Sequence, residues 1–218
     1  MTQLPKSIDL YSHRKNYKRT TLKRVDLKTN PVDQFQKWLE EAIISELLEP
    51  NAMVLGTSIN DIPSTRTVLL KSFNQEGFIF FTNYNSRKGK EISTQNNVSL
   101  LFPWYLLERQ VIILGKTVKI SREDSENYFK SRPIQSQIGA WASEQSKVIS
   151  SRNLLEENSV RIEKEYKNKQ IPLPKYWGGY RVIPYEFEFW QGRENRLHDR
   201  FIYRKLNKEH WKIERLSP

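Results

Sequence analysis

Ile62-Pro-Ser-Thr-Arg66-Thr-Val-Leu-Leu70-Lys71-Ser-Phe-Asn74-Gln-Glu-Gly77-Phe-Ile-Phe-Phe81-Thr82-Asn-Tyr-Asn-Ser86-Arg87-Lys88-Gly89-Lys-Glu91 is the stretch on which the fold turns. Two apolar runs, 68–70 and 78–81, flank the polar turn 74–77, which predicts a β-hairpin. The second strand runs on through Thr82 to Ser86, the N-cap of a predicted helix over 86–96. Side chains alternate along a strand, so Arg66 and Lys71 face opposite sides and are expected to serve different phosphates. Free N–H groups at a helix start beside Arg87 and Lys88 suit a phosphate, although on these residues alone a solvated turn in a basic protein is the favoured reading. Gly89 falls inside that helix, where it costs about 1 kcal/mol against a better helix former.

Outward from this stretch, short strands are predicted over 53–58, 66–71, 78–81, 98–102 and 110–120. Crossover helices are mostly missing between them, which argues for an antiparallel sheet or barrel with added helices, an α+β class. Upstream, Asn30-Pro31 opens a helix whose Phe35, Trp38, Leu39, Ala42, Ile43 and Leu47 form one apolar stripe. Downstream, 122–141 reads as two helices split at Pro133, and 144–169 as a charged helix. Strands over 180–190, 201–204 and 211–215 are expected to close the sheet, the last two as a hairpin around 207–209. The expected organisation is one domain over 30–218 behind a basic arm, 1–29, that is either mobile or a lid over a ligand.

Composition limits the chemistry. Hydrophobic residues make up 37% of the 218, a modest share that 12% aromatics offset and that a core completed by a partner subunit also fits. A net charge of +11 attracts phosphorylated metabolites and other polyanions. With no cysteine, disulfides, thiolate catalysis and Cys-based zinc or iron–sulfur sites are excluded. The three histidines have no ligand spacing, so no metal is expected. No apolar run is long enough for a membrane span and no secretory leader is read, so a cytoplasmic location without a membrane partner is expected. Rossmann, P-loop and nucleophile-elbow motifs are missing.

Three further groups point to a site. Tyr128, Arg132 and Ser136 are spaced by four, as phosphate donors on one helix face would be, with Pro133 as an interruption. Arg196, His198 and Arg200 point one way in an extended chain, a grouping that binds an anion and moves a proton; a salt-bridged turn with Glu194 and Asp199 is the plainer alternative. Gln110, Gln145 and Ser146 are neutral polar residues near element ends and say little alone.

Taken together these segments resemble the pyridoxine/pyridoxamine 5'-phosphate oxidase family, with its flavin-binding split-barrel fold. The resemblance rests on Arg66 to Lys71, Phe81-Thr82 with Ser86-Arg87-Lys88, Ser99-Leu-Leu-Phe-Pro-Trp, Leu107-Glu-Arg-Gln-Val, Ser131-Arg-Pro and Ser136-Gln-Ile-Gly-Ala-Trp. It continues through Pro172-Leu-Pro, Trp177-Gly-Gly, Glu188-Phe-Trp-Gln-Gly, Arg196-Leu-His-Asp-Arg and Trp211-Lys-Ile, all in order, and covers about Arg14 to the C-terminus. It implies an antiparallel split β-barrel and a homodimer with FMN at the subunit interface. Arg66 and Lys88 would hold the FMN phosphate, helped by Gln145 and Ser146. Thr67, Val68, Leu69, Leu70, Lys71, Phe81, Thr82, Arg87, Gln110, Trp190 and Arg200 would complete the flavin site. Lys71, Tyr128, Arg132 and Ser136 would hold the substrate phosphate, Arg196 and His198 would act over the pyridine ring, and Arg14 and Tyr17 would belong to a lid. The implied reaction oxidises pyridoxine or pyridoxamine 5'-phosphate to pyridoxal 5'-phosphate by hydride transfer to FMN, with O2 reduced to H2O2. Two other readings are a different split-barrel flavin reductase or oxidase, and a basic nucleic-acid-binding module favoured only by the arm. On the family reading no nucleic-acid partner is expected.

Overall fold

The computed structural model describes residues 10, 11 and 15–218. Helix α1 (Pro31–Ile44) starts as its residues dictate, with the Asn30 Oδ1 accepting from the Val32 N–H at 2.8 Å and Pro31 in the first turn. Strands β1 (Ala52–Ile59), β2 (Ile62–Leu69), β3 (Ser72–Asn74) and β4 (Gly77–Asn83) lead to α2 (Arg87–Thr94). Then come β5 (Asn97–Trp104), β6 (Arg109–Lys119), α3 (Arg122–Ser131), α4 (Ile134–Ala142), α5 (Arg152–Glu165), β7 (Trp177–Gln191), β8 (Asp199–Lys205) and β9 (Trp211–Leu216). The strands form one nine-stranded antiparallel sheet among the described residues, in the order β2-β1-β5-β6-β7-β4-β3, with β8 on β7 and β9 on β8.

The stretch 62–74 closes this sheet on itself. β2 pairs with β1 from Ile62↔Ile59 to Leu69↔Ala52, and the Leu70 N–H still donates to the Asn51 carbonyl at 2.9 Å. One residue later the Lys71 N–H donates to the Ile79 carbonyl at 2.9 Å, and β3 continues against β4. The chain thus leaves one edge of the sheet and joins the other, with buried Leu70 at the corner. This corrects the expected hairpin. The turn at 74–77 joins β4 to the short β3, and the 66–70 run instead forms a hairpin with β1 through Asn60-Asp61. Both turn residues have left-handed φ, 48° and 61°, which the pairing of the apolar runs concealed.

Along β7 the pattern changes partners. Its first half pairs with β4 and its second with β8, while β6 lies along it from Tyr180 to Gln191. The register slips between Leu114 and Gly115, opposite Pro184, where a missing N–H is tolerated at a bulge. Alternation in the second half sends Phe187 and Phe189 into the core and Glu188 and Trp190 to the other face. The core joins Phe35, Trp38 and Leu39 of α1 to Leu55, Phe78, Phe80, Phe102 and Ile113 of the sheet. α1 is shorter than its stripe: Ile43 is exposed, and Leu47 packs on the core from beyond the helix end. A second cluster gathers Phe129, Ile138, Ile162, Ile171, Leu173 and Trp177 beneath α3, α4 and α5. α5 starts later than predicted, and only Ile162 of its thin stripe is buried.

Candidate active site

α2 is where the sequence and the packing meet most tightly. Ser86 caps it, its Oγ accepting from the Gly89 N–H at 3.3 Å. Gly89 is required by approach, because a Cβ there would lie 2.2 Å from the Tyr84 carbonyl oxygen. That resolves the helix-propensity penalty: the glycine lets the first turn of α2 sit against the end of β4. Lys88 is drawn inside, and its Nζ donates to the Thr82 Oγ1 at 3.2 Å, while that hydroxyl donates to the Gln145 Oε1 at 3.3 Å. Burial and the nearby Arg66 both lower the Lys88 pKa, with Glu91 opposing them, as for a cation that lacks an anion.

A cavity of about 490 Å³ opens beside this turn. Thr67, Val68, Leu69, Lys71, Phe81, Thr82 and Lys88 line it from the barrel. Tyr128, Arg132, Ser136 and Gln145 line it from the helical side. The break at Pro133 leaves Arg132 extended, φ −74° and ψ 150°, and still aims Tyr128, Arg132 and Ser136 at one space. Arg132 lies over the Trp177 ring at 4.7 Å, and its Nη1 is buried with no hydrogen-bond partner. Phe81 stacks on Tyr128 with centroids 3.8 Å apart, which fixes the phenol at the rim.

A second cavity, of about 630 Å³, is lined by Lys15, Asn16, Tyr17, Gln110, Trp190, Arg193, Asn195, Arg196 and His198. Register explains one pair in it: Gln110 of β6 stands opposite Trp190 of β7, so the two side chains share one face. Tyr17 meets Trp190 edge-on at 5.7 Å and His198 at 5.8 Å. The approach loop is strained, with Asn195 and Arg196 at φ 55° and 61°. The His198 Nδ1 accepts from the Arg193 backbone N–H at 3.1 Å, so the neutral ring carries its proton on Nε2. Burial, with Arg196 and Arg200 adding repulsion, lowers the His198 pKa below its usual value.

Other expected residues lie elsewhere within the protomer. Leu70 is core. Arg66 does not line the first cavity; it stands near Lys88 with its Nη2 donating to Glu91 of α2 at 2.9 Å. Arg87 is exposed and paired to the same carboxylate. Arg200 is tied to Glu188 at 2.8 Å and to the Ser217 carbonyl at 2.9 Å. Ser146 is exposed at φ 73° and lines neither cavity. The expectation for Arg14 falls outside the described residues. Lys15 and Asn16 fall in the arm read as a possible lid, whereas sequence reasoning gave no site role to Arg193, Asn195 or Trp177, whose positions depend on strand register and loop strain. It also passed over Glu91, for which the i,i+4 spacing from Arg87 was a readable signal. Among the described residues no three metal-ligating side chains cluster, and no helix is long and apolar enough to cross a membrane.

Comparison with solved structures places this architecture. PhzG from Burkholderia lata 383, crystallised with tetrahydrophenazine-1-carboxylic acid, superposes with a TM-score of 0.83 at 29% identity, over 89% of this chain and 95% of that one. A pyridoxamine 5'-phosphate oxidase-related, FMN-binding protein of Nostoc punctiforme shares the fold at a TM-score of 0.68, with 15% identity over 88% of this chain and 100% of that one. The antiparallel sheet with helices α1 to α5 is thus an FMN-binding split barrel. A family model described as pyridoxamine 5'-phosphate oxidase matches residues 39–165, and one described as the pyridoxine 5'-phosphate oxidase C-terminal dimerisation region matches 177–218. The pyridoxine/pyridoxamine 5'-phosphate oxidase of Prochlorococcus marinus (strain MIT 9303) is 55% identical over 214 residues, 96% of each chain. That of Vesicomyosocius okutanii is 53% identical over 211 residues, 97% of this chain and 99% of the relative. The chain belongs to the pyridoxine/pyridoxamine 5'-phosphate oxidase family.

Proposed function

We propose that this chain oxidises pyridoxine and pyridoxamine 5'-phosphates to pyridoxal 5'-phosphate, with FMN and substrate held between the two half-sites of a homodimer. The observation that carries the composite site is that the two cavities described above share no lining residue within one protomer. One offers cations and hydroxyls for phosphates; the other offers an imidazole, guanidiniums and an indole for a ring. The C-terminal dimerisation region supplies Trp190 of β7 and the loop before β8 to the second. The protein's cytoplasmic placement belongs to the same reading.

The donor set fits FMN. Buried Lys88 has a lone hydroxyl for company, and Arg66 and the α2 N-terminus stand beside it. These would hold the flavin phosphate, with Thr82 and Gln145 adding neutral hydrogen bonds and Gln145-Ser146 completing the cradle. Gln110, Trp190 and Arg200 would border the ring system, and Thr67, Val68, Leu69 and Phe81 the remainder. Bound there, FMN would supply the redox chemistry, a two-electron acceptor for the hydride of the substrate C4' carbon that O2 reoxidises to give H2O2. The chain's own contribution is binding, orientation and proton control. Lys71, Tyr128, Arg132 and Ser136 would grip the substrate phosphate, and the unpartnered Arg132 Nη1 is the donor with most to gain. Arg196 would orient the pyridine ring with its planar fork. His198, neutral with a proton on Nε2, would donate to the ring's oxygen or hold a proton during turnover. Tyr17, against Trp190 and His198, would cover the ring from water as part of the arm.

Adding pyridoxamine 5'-phosphate to the FMN-loaded protein in air is expected to release hydrogen peroxide and pyridoxal 5'-phosphate. A protein that binds FMN and yields no peroxide would overturn the assignment.

A further inference from the structure

Glu91 has no part in the scheme above, yet it anchors the phosphate cradle. It lies on α2 with 3% exposure. Its Oε2 accepts from the Ser64 Oγ at 2.7 Å, from the Arg66 Nη2 at 2.9 Å and from the Thr57 hydroxyl. Its Oε1 accepts from the Arg87 Nε at 2.8 Å. One carboxylate therefore bridges a guanidinium of β2 and a guanidinium of the first turn of α2, next to buried Lys88. Arg66 is fixed further by its Nη1, which donates to the Leu55 carbonyl at 3.2 Å. Burial raises the Glu91 pKa, but hydrogen bonds from Thr57, Ser64, Arg87 and Arg66 outweigh it and hold the group at about 2, so the bridge is ionised throughout the neutral range.

Without this carboxylate, three cations would face one another at a helix start. Arg66 and Arg87 would swing apart towards water, and an arriving phosphate would have to gather them again. With it, they are arranged before the ligand arrives. The opposite effect is also physical, because a carboxylate near a phosphate repels it. We propose that Glu91 is a positioning residue for the FMN phosphate, acting by fixing Arg66 and Arg87, and that positioning outweighs its repulsion. This rests on the reading of Arg66 and Lys88 as the FMN phosphate cradle.

The test uses the full chain, stripped of flavin, with FMN and riboflavin titrated separately by quenching of flavin fluorescence. Riboflavin lacks the phosphate, so it separates phosphate recognition from general damage. Glu91→Gln keeps the side-chain volume and is expected to weaken FMN about tenfold or more, the scale of one charge-assisted hydrogen bond, while riboflavin affinity holds. Glu91→Ala is expected to lose at least as much FMN affinity. An unchanged or tighter FMN complex in Glu91→Gln would overturn the proposal, and so would equal weakening of both flavins, which marks a merely structural role. Arg66→Ala, run in parallel, separates the two layers. If it loses the FMN-over-riboflavin preference and Glu91→Gln does not, only the positioning role fails. If Arg66→Ala keeps that preference, the cradle reading falls and the proposal with it.

Discussion

Replacing Arg132 by Met should separate binding from stability. In the free protein the guanidinium gains a cation–π contact with Trp177 at 4.7 Å, on the order of 0.5–2 kcal/mol. Against this stands a buried Nη1 without a partner, a cost of about 1–3 kcal/mol. Burial also lowers the Arg132 pKa, the mark of a charge held where water solvates it poorly. Met keeps the apolar bulk over the ring and removes both terms, so they nearly cancel. The unliganded variant should melt within about 5 °C of the parent. On the proposed reading the bound state differs, because the phosphate of the product would pair with that nitrogen. Losing a charge-assisted hydrogen bond costs about 1.5–3 kcal/mol, or about 10- to 150-fold in affinity. Calorimetric titration of pyridoxal 5'-phosphate into the FMN-loaded chain measures this directly. Unchanged affinity in Arg132→Met would refute the placing of the substrate phosphate at α3–α4. A large fall in the melting point of the unliganded variant would show that Arg132 is structural instead.

Three other outcomes follow from the geometry. Gly89→Ala gains about 1 kcal/mol of helix propensity, yet its Cβ would meet the Tyr84 carbonyl oxygen at 2.2 Å. Overpacking against backbone costs about 1–3 kcal/mol or more, so thermal melting should fall and FMN binding weaken; a raised melting point would contradict the account. The His198 imidazole is held below its ordinary pKa, so the unfolded chain takes up that proton at higher pH than the folded one. His198 should therefore leave stability unaffected above its usual titration range and subtract from it as pH falls through that range. An NMR titration of the ring is expected to find a midpoint below that of a free histidine, and one above it would contradict the assigned environment. Asp199 accepts from the Leu22 N–H at 3.0 Å, the Arg193 Nη1 at 3.0 Å and the Arg215 Nη1 at 2.8 Å, tying the arm and the loop before β8 to the last strand. Asp199→Ala should cost about 1–3 kcal/mol in urea unfolding, less than a fully buried pair because both arginines are partly exposed. Faster tryptic cleavage in the arm should accompany the loss, and unaltered cleavage would show that the arm is held by other contacts.

The sequence by itself determined the local elements. Asn30-Pro31, Ser86 and the alternation of 187–190 specify a helix start, a second helix start and a two-faced strand, because caps and periodicity act over a few residues. It also identified the residues that line both cavities in greatest part, since the family's motifs mark them one by one. Partners across the fold were not legible there. The 68–70 run was expected to pair with 78–81, and the tertiary structure pairs it with β1 instead, because any apolar strand satisfies the same alternation and only closure of the sheet selects between edges. The parity of Arg66 and Lys71 shows the same division. Spacing sent them to opposite sides, while the switch of hydrogen bonding at Leu70-Lys71 decided that Lys71 reaches the cavity of Arg132 and that Arg66 turns to Glu91. The contact of Arg66 with a carboxylate twenty-five residues along the chain follows from no local pattern, and it took the packing of α2 on β1 and β2 to make it.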